Sequence, residues 1–382
     1  MIIPDKKGKK PKHEIIGKRI IRETIWKVYP DFMEYLQPSD KILNIIVEIS
    51  DWISAQEREK QEERPKVEEV GLRCIFSSLK IDNSETKLHI WKPTQLSLDF
   101  DKLLPIEEQK IKLSEIGRDL PIKLREELNK ISSDFIKLKD LEEKKNNNEI
   151  YKIRKTILRK ILDILKKYTI FIPSASYWHK PDIDLYSHSK ISCAVAASLF
   201  KYINETKRED LIKKIRIRLK EEFDKKEKKQ DENENIDKND VLNEEIFLLI
   251  NGDFSGIQNF LSTLSTENAI KHLKARSFYL NYLNKLIPRY IVNELDLPEA
   301  NIIFASGGNF EIFAPNTENT IKKLSSISKK INIFLFKKFG TKLYLSISAY
   351  KLSTLDFQRN FFIKKIKNEE SKIDISSKYK KF

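Results

Sequence analysis

Two short stretches carry residues whose types and spacing could do chemistry. Asp253, Ser255 and Gly256 lie in IFLLINGDFSGIQNFLSTL (Ile246–Leu264), and Gly307, Gly308 and Asn309 lie in ANIIFASGGNFEIFAPNTE (Ala300–Glu318). A carboxylate at a strand end can hold a divalent cation beside a triphosphate, and glycines let backbone amides approach phosphate closely. The apolar run Ile246–Ile250 has the length of a buried strand and ends at Asn251-Gly252. Asp253 and Ser255-Gly256 are therefore expected just past the strand end. Gly307-Gly308 reads as a two-residue hairpin turn, where positive φ is required. Two-metal nucleotidyl chemistry also asks for a paired carboxylate, and the turn reads Gly307-Gly308-Asn309-Phe310 without one. Glu311, three residues past Gly308, is one candidate, and it equally suits an outward-facing strand position. What is left is a phosphate cradle, or a plain hairpin that needs the same glycines; on the residues alone both readings stand.

The elements that must position these residues follow from periodicity. A helical stretch is expected from about Gln258, and a longer one from Ala269 to Leu295. NIIFAS and NFEIFAP flank the glycine turn as strands. Thr320–Lys337 places Ile321, Leu324, Ile327, Ile331 and Phe334 at helical spacing, and Leu343–Tyr350 closes as a strand. The order β-α-β-β-α-β is the ferredoxin-like split unit, also the palm of many nucleotide polymerases and cyclases. The fold class expected is α+β, a mainly helical domain followed by this unit.

Upstream, Asp40–Arg58 reads as a helix with Ile42, Ile45, Ile46, Ile49, Trp52 and Ile53 on one face, and Asp51 borders that face. Such an Asp is usually a surface or hydrogen-bonded residue. IFSSLKI and LHIWKP within Ile75–Leu98 read as short β pieces. Pro121–Lys144 and Asn148–Lys167 read as helices broken by KKNNNEI. A further helix begins at Ser187 with His188 in its first turn, where a histidine is more often packed than a ligand. Asn204–Asp240 is a charged linker: Glu209–Phe223 is helical and expected to pack weakly, and KEEFDKKEKKQDENENIDKND has almost no apolar content.

The chain has 382 residues, 72 Lys and Arg against 57 Asp and Glu, and a net charge of +15. That balance favours a polyanionic partner, nucleic acid or nucleotide, although richness in Lys, Ile and Asn can also follow from base composition. Cys74 and Cys193, far apart, suit a reducing cytoplasm and exclude a zinc site built of cysteines. No apolar run is long enough to span a membrane. The arm Met1–Lys12 is basic and reads as a solvated tail.

GDFSGIQNFL, KARSFYLNYL and FASGGNFEIFAPNTE, in that order, resemble the first palm domain of the large subunit of type III CRISPR effector complexes, the polymerase-like subunit of the Csm and Cmr assemblies. The resemblance implies antiviral defence. It implies ATP bound at Asp253, Ser255, Gly256, Gly307, Gly308 and Asn309, with Mg or Mn. It also implies cyclic oligoadenylate synthesis by a second palm whose Gly-Gly-Asp-Asp hairpin does not occur in this sequence. SDWISAQERE and KYTIFIPSASYWHKPDIDLYSHSK are similar to parts of the family's HD nuclease domain, and mark His13, Asp51 and His188 as remnant metal positions. That chemistry needs a His-Asp dipeptide, and the sequence has none, so no nuclease activity is expected. The expected organisation is an HD-like helical domain over 1–205, a charged linker over 206–240, the first palm over 241–355, and a basic tail over 356–382 at a seam before a zinc region and second palm. Expected partners are the other effector subunits, crRNA and target RNA or DNA through the complex, and a chain carrying the second palm. The site would be cytoplasmic, and the chain alone inactive. Two alternatives stand beside this: a non-catalytic nucleic-acid adaptor, and a stand-alone metal-dependent cyclase or transferase using Asp253 with Glu311.

Overall fold

The computed structural model describes residues 41–55, 70–78, 88–107, 113–174, 181–227, 240–262, 268–357 and 372–375. His13, the basic arm and the last part of the charged linker lie outside them. The chain divides into two compact units, Met1–Lys41 with Arg58–Ser189, and Ile42–Glu57 with Lys190–Phe382. The first described helix, α1 (Lys41–Ala55), belongs to the second unit.

The first unit holds a small antiparallel sheet of β1 (Leu72–Arg73), β2 (His89–Trp91) and β3 (Ile106–Glu107) in that order. IFSS, expected to be extended, is instead a 3₁₀ turn over Ile75–Ser78. The backbone of His89 explains this. Its carbonyl accepts from Cys74 N–H at 2.9 Å, and its N–H donates to Ser77 Oγ at 2.9 Å, which closes the ladder there. Ile75 and Phe76 consequently stay exposed.

A one-turn helix over Leu113–Ile116 leads into three longer ones: α2 (Leu120–Lys130), α3 (Ser132–Glu143) and α4 (Asn147–Thr169). Pro121 sits in the first turn of α2, where its missing N–H costs nothing. The single helix expected over Pro121–Lys144 is broken at Ile131, whose N–H reaches back to Leu128 O. In KKNNNEI, Lys145 takes φ +54° and Asn146 caps α4 by accepting from Glu149 N–H. Leu128, Phe135, Leu138, Ile157, Ile164 and Tyr168 pack between these helices.

The second unit is built on a five-stranded antiparallel sheet. Besides α1, the elements are α5 (Leu185–Thr206), which enters this unit at Lys190, α6 (Glu209–Glu227), β4 (Phe247–Ser255), α7 (Ile257–Ser262), α8 (Ala269–Glu294), β5 (Ile302–Ser306), β6 (Asn309–Pro315), α9 (Glu318–Phe339), β7 (Tyr344–Leu352) and β8 (Lys372–Asp374). The strand order is β5-β6-β4-β7-β8. Period-2 alternation gives β4 two apolar faces. Leu248, Ile250 and Phe254, with Phe310, Ile312, Leu345 and Ile347, face α8 and α9. Phe247 and Leu249, with Phe313 and Leu352, face α1, α5 and α6. Near-continuous hydrophobicity at Ile246–Ile250 is the signature of a strand buried on both sides.

The helix expected to pack weakly does not. Leu211, Ile212, Ile215 and Leu219 of α6 are buried in that second core. α9 is capped by Thr317, whose Oγ1 accepts from Thr320 N–H. Glu205 at the end of α5 accepts from Thr317 Oγ1 and Asn319 Nδ2. No helix among the described residues is long and apolar enough to cross a membrane.

Candidate nucleotide site on the open half of the sheet

The strand expected to stop at Asn251-Gly252 runs on to Ser255. Its ladder is satisfied on both sides: Asp253 pairs with Asn309 of β6 and Ser346 of β7, and Ser255 pairs with Tyr344. Asn and Gly are poor strand formers, but here Gly252 is required. A Cβ at that position would lie 2.0 Å from the Phe310 ring, which fills the space beneath it. Asp253 is therefore a strand residue, held in register between two neighbours rather than on a loop.

The face that carries Phe247 and Leu249 changes character beyond them. Asn251, Asp253 and Ser255 follow at alternate positions, and across the sheet lie Asn309, Glu311, Ser346 and Ser348. Asp253, Ser255, Ser306 and Asn309 are exposed. One half of this sheet face is covered by helices and the other is polar and open.

Gly307 and Gly308 join β5 to β6 with φ of +64° and +91°, the pair of positive angles that a tight hairpin demands. Phe254 N–H donates to Gly308 O at 2.9 Å and ties the turn to β4. A Cβ on Gly308 would meet Ile257 Cδ1 at 2.3 Å, so the turn rests on the start of α7. A Cβ on Gly307 would meet nothing within 4 Å. Gly256 has φ +89°, and a Cβ there would stand 2.3 Å from the backbone oxygen of Lys342. That contact cannot be relieved by a side-chain rotation. The structure thus brings Asp253, Ser255, Gly256, Gly307, Gly308 and Asn309 to one edge of the open face.

Two residues that sequence reading did not single out hold this edge. Asn284 of α8, 2% exposed, donates from Nδ2 to Asn309 O at 3.3 Å. Arg276 donates to Phe260 O at 2.7 Å and lies over the Phe260 ring, which fixes the end of α7. The signal for Asn284 was a polar residue on the apolar stripe Leu280, Leu283, Ile287. Glu311 is half-buried, and burial raises its carboxyl above the ordinary value.

Of the expected metal positions, His13 lies outside the described residues. Asp51 is an exposed residue of α1 in the second unit. His188, in the first turn of α5, is buried and assigned to the first unit. Asp184 caps that turn by accepting from Ser187 N–H at 2.7 Å. Among the described residues, no group of three or more His, Cys, Asp or Glu is placed to hold a metal.

Comparison with known proteins gives one consistent answer. Residues 246–382 match the family described as Csm1 subunit domain B. The chain is 32% identical over 395 aligned positions to the CRISPR system single-strand-specific deoxyribonuclease Cas10/Csm1 (subtype III-A) of Methanocaldococcus jannaschii, covering 93% of this chain and 44% of that protein. A solved Csm1–Csm4 cassette in complex with cA4 superposes with a TM-score of 0.61 at 25% identity, over 94% of this chain and 44% of the other. A cassette in complex with one ATP gives a TM-score of 0.60 at 25% identity, over 94% and 43%. The chain spans less than half the length of these relatives.

Proposed function

This chain is homologous to the Cas10/Csm1 large subunits of subtype III-A CRISPR systems, and from that premise we propose that it is the ATP-holding, non-catalytic palm of such a subunit. The observation that carries the reading is the convergence of the β4 end (Asp253–Gly256) and the β5–β6 turn (Gly307–Asn309) on one open, polar half-face. In this reading 241–355 is a ferredoxin-like palm, consistent with the strand order of its first four strands. Residues 1–205 are an HD-like region that lends α1 and the part of α5 from Lys190 to the second unit, 206–240 is a charged stretch whose α6 packs in that unit's core, and 356–382 is a basic tail. A homologous cassette that holds ATP supports the ligand class.

The residues suit a magnesium nucleotide. Mg²⁺ keeps most of its ligands from phosphate and water and needs one or two protein carboxylates. Asp253 supplies one at the edge where the turn backbone, bare of Cβ at Gly307, is open to phosphate. Glu311 is half-buried, and burial raises its carboxyl above the ordinary value, which disfavours the charged form that a metal needs. Cyclic oligoadenylate synthesis would then rest on a Gly-Gly-Asp-Asp palm supplied from outside this sequence. Other type III effector subunits, crRNA and target RNA or DNA are its partners in the assembled complex. His13, Asp51 and His188 are read as remnant positions of a nuclease centre, whose metal pair is chelated by a His-Asp dipeptide that does not occur in these 382 residues.

The test is ATP binding by equilibrium dialysis with Mg²⁺. Ser255→Leu places a bulky group on the open face without touching either core, and should weaken binding at least about tenfold with the melting temperature unchanged. Unaltered affinity in Ser255→Leu would sink the site. Cyclic oligoadenylate made by this chain alone with Mg²⁺ or Mn²⁺, or metal-dependent cutting of single-stranded DNA, would overturn the non-catalytic assignment.

A further inference from the structure

Helix α8 buries Leu280, Leu283, Ile287 and Ile291 against the sheet. Its opposite face carries Lys271, Lys274, Phe278, Tyr282, Lys285 and Arg289, all exposed. Their spacing of three and four residues keeps them on one stripe, about 27 Å long at 1.5 Å per residue. Phe278 is 72% exposed and Tyr282 is 51% exposed. Their rings lie nearly parallel, 6.3 Å apart with 9° between planes. Two large aromatic rings left in water, aligned and bracketed by cations at both ends, are not explained by packing within this unit.

The surrounding charge selects the occupant. α8 holds five Lys or Arg against one Glu, and the neighbouring α9 holds six Lys against one Glu. Of the stripe's cations, Arg289 is joined to Glu299 at 3.2 Å. Protein interfaces are depleted in Lys at their centres, whereas single-strand binders combine aromatic stacking faces with a cationic track. We propose that the outer face of α8 is a stacking platform for single-stranded nucleic acid, with Phe278 and Tyr282 taking bases and Lys271, Lys274 and Lys285 taking phosphates. It lies on the helical side of the sheet, away from the open polar half-face, and stands independently of the nucleotide reading.

The experiment is fluorescence anisotropy of the whole chain with a labelled oligouridylate of about 20 nucleotides, titrated across salt. Phe278→Ala with Tyr282→Ala should weaken binding by roughly tenfold or more, and Phe278→Trp with Tyr282→Trp should restore it. Changing Lys271, Lys274 and Lys285 to Gln should flatten the log–log salt slope by about 2, at roughly 0.7 per phosphate contact on a single strand. Changing the exposed Lys123, Lys139 and Lys166 of the first unit to Gln removes the same charge elsewhere and should leave the slope alone. Absence of single-strand binding by the wild type at low salt would refute the proposal. So would an aromatic double variant that binds normally, or equal losses in the two lysine sets. Either of the latter would leave α8 as a protein-docking face or a merely cationic one.

Discussion

At the scale of single residues, the open half-face is set by what each side chain cannot do. Gly256 and Gly252 have no room for a Cβ, while Gly307 has room but a left-handed φ. Asn251 and Asp253 are polar where the same face of the strand earlier carried Phe247 and Leu249. Glu311 is the half-buried carboxyl opposite Asn251. Burial favours its neutral form, so its folded pKa lies above the ordinary 4.5. Its contribution to stability is complete below that ordinary value and is lost as pH rises through the raised folded one. Glu311→Gln should therefore melt a few degrees higher than wild type at pH 7, with the gap closing below about pH 4. Thermal melts at both pH values decide it, and a gap that persists in acid would show that charge is not the cause. If Glu311 were a working metal carboxylate instead, Glu311→Gln would also abolish the Mg²⁺ dependence of ATP binding.

The elements were legible to different degrees, for physical reasons. β5, the glycine turn, β6 and α8 could be read within a residue or two because their signals are local: alternation, positive-φ glycines, a long apolar stripe. The end of β4 could not, because Asn251-Gly252 discourages a strand locally. Pairing with β6 and β7 and the Phe310 ring, all remote in sequence, override that. Ile75–Ser78 failed in the opposite sense, β-prone by composition but left without a partner strand. Asn301 was invisible for the same reason. Its Nδ2 reaches Ala194 O, Ser198 Oγ and Phe313 O at 3.2, 3.1 and 2.7 Å, and two of those acceptors are more than 100 residues away. α6 misled through its charge, since four buried positions suffice to anchor an otherwise solvated helix. Ile212→Ala should cost about 2–4 kcal/mol, read as a lower urea midpoint at unchanged slope. A change below about 0.5 kcal/mol, the scale of surface substitutions, would return α6 to the weakly packed class.

For the whole molecule, the decisive feature is that the second unit is not one continuous stretch. α1, from before Arg58, lies in the core of a body that otherwise starts at Lys190. Ile46, Ile49 and Ile53 are 2%, 0% and 1% exposed there, packed with Phe247, Leu249 and Leu352. Residues 190–382 expressed alone should therefore expose an apolar groove and aggregate. A peptide of residues 41–57 supplied in trans, or joined by a flexible linker, should restore a cooperative melt. A soluble, cooperatively folding 190–382 fragment would refute this.

That same discontinuity has a consequence during synthesis. α1 leaves the ribosome more than 130 residues before the first of its lasting partners exists, and more than 300 before the last. At about 5–20 residues per second, its three isoleucines wait from several seconds to about a minute beside a nascent chain rich in Lys and Ile. A cell making this protein must shelter one amphipathic helix for that interval, and the amount of folded product will depend on elongation rate and holdase supply as well as on the stability of the finished sheet.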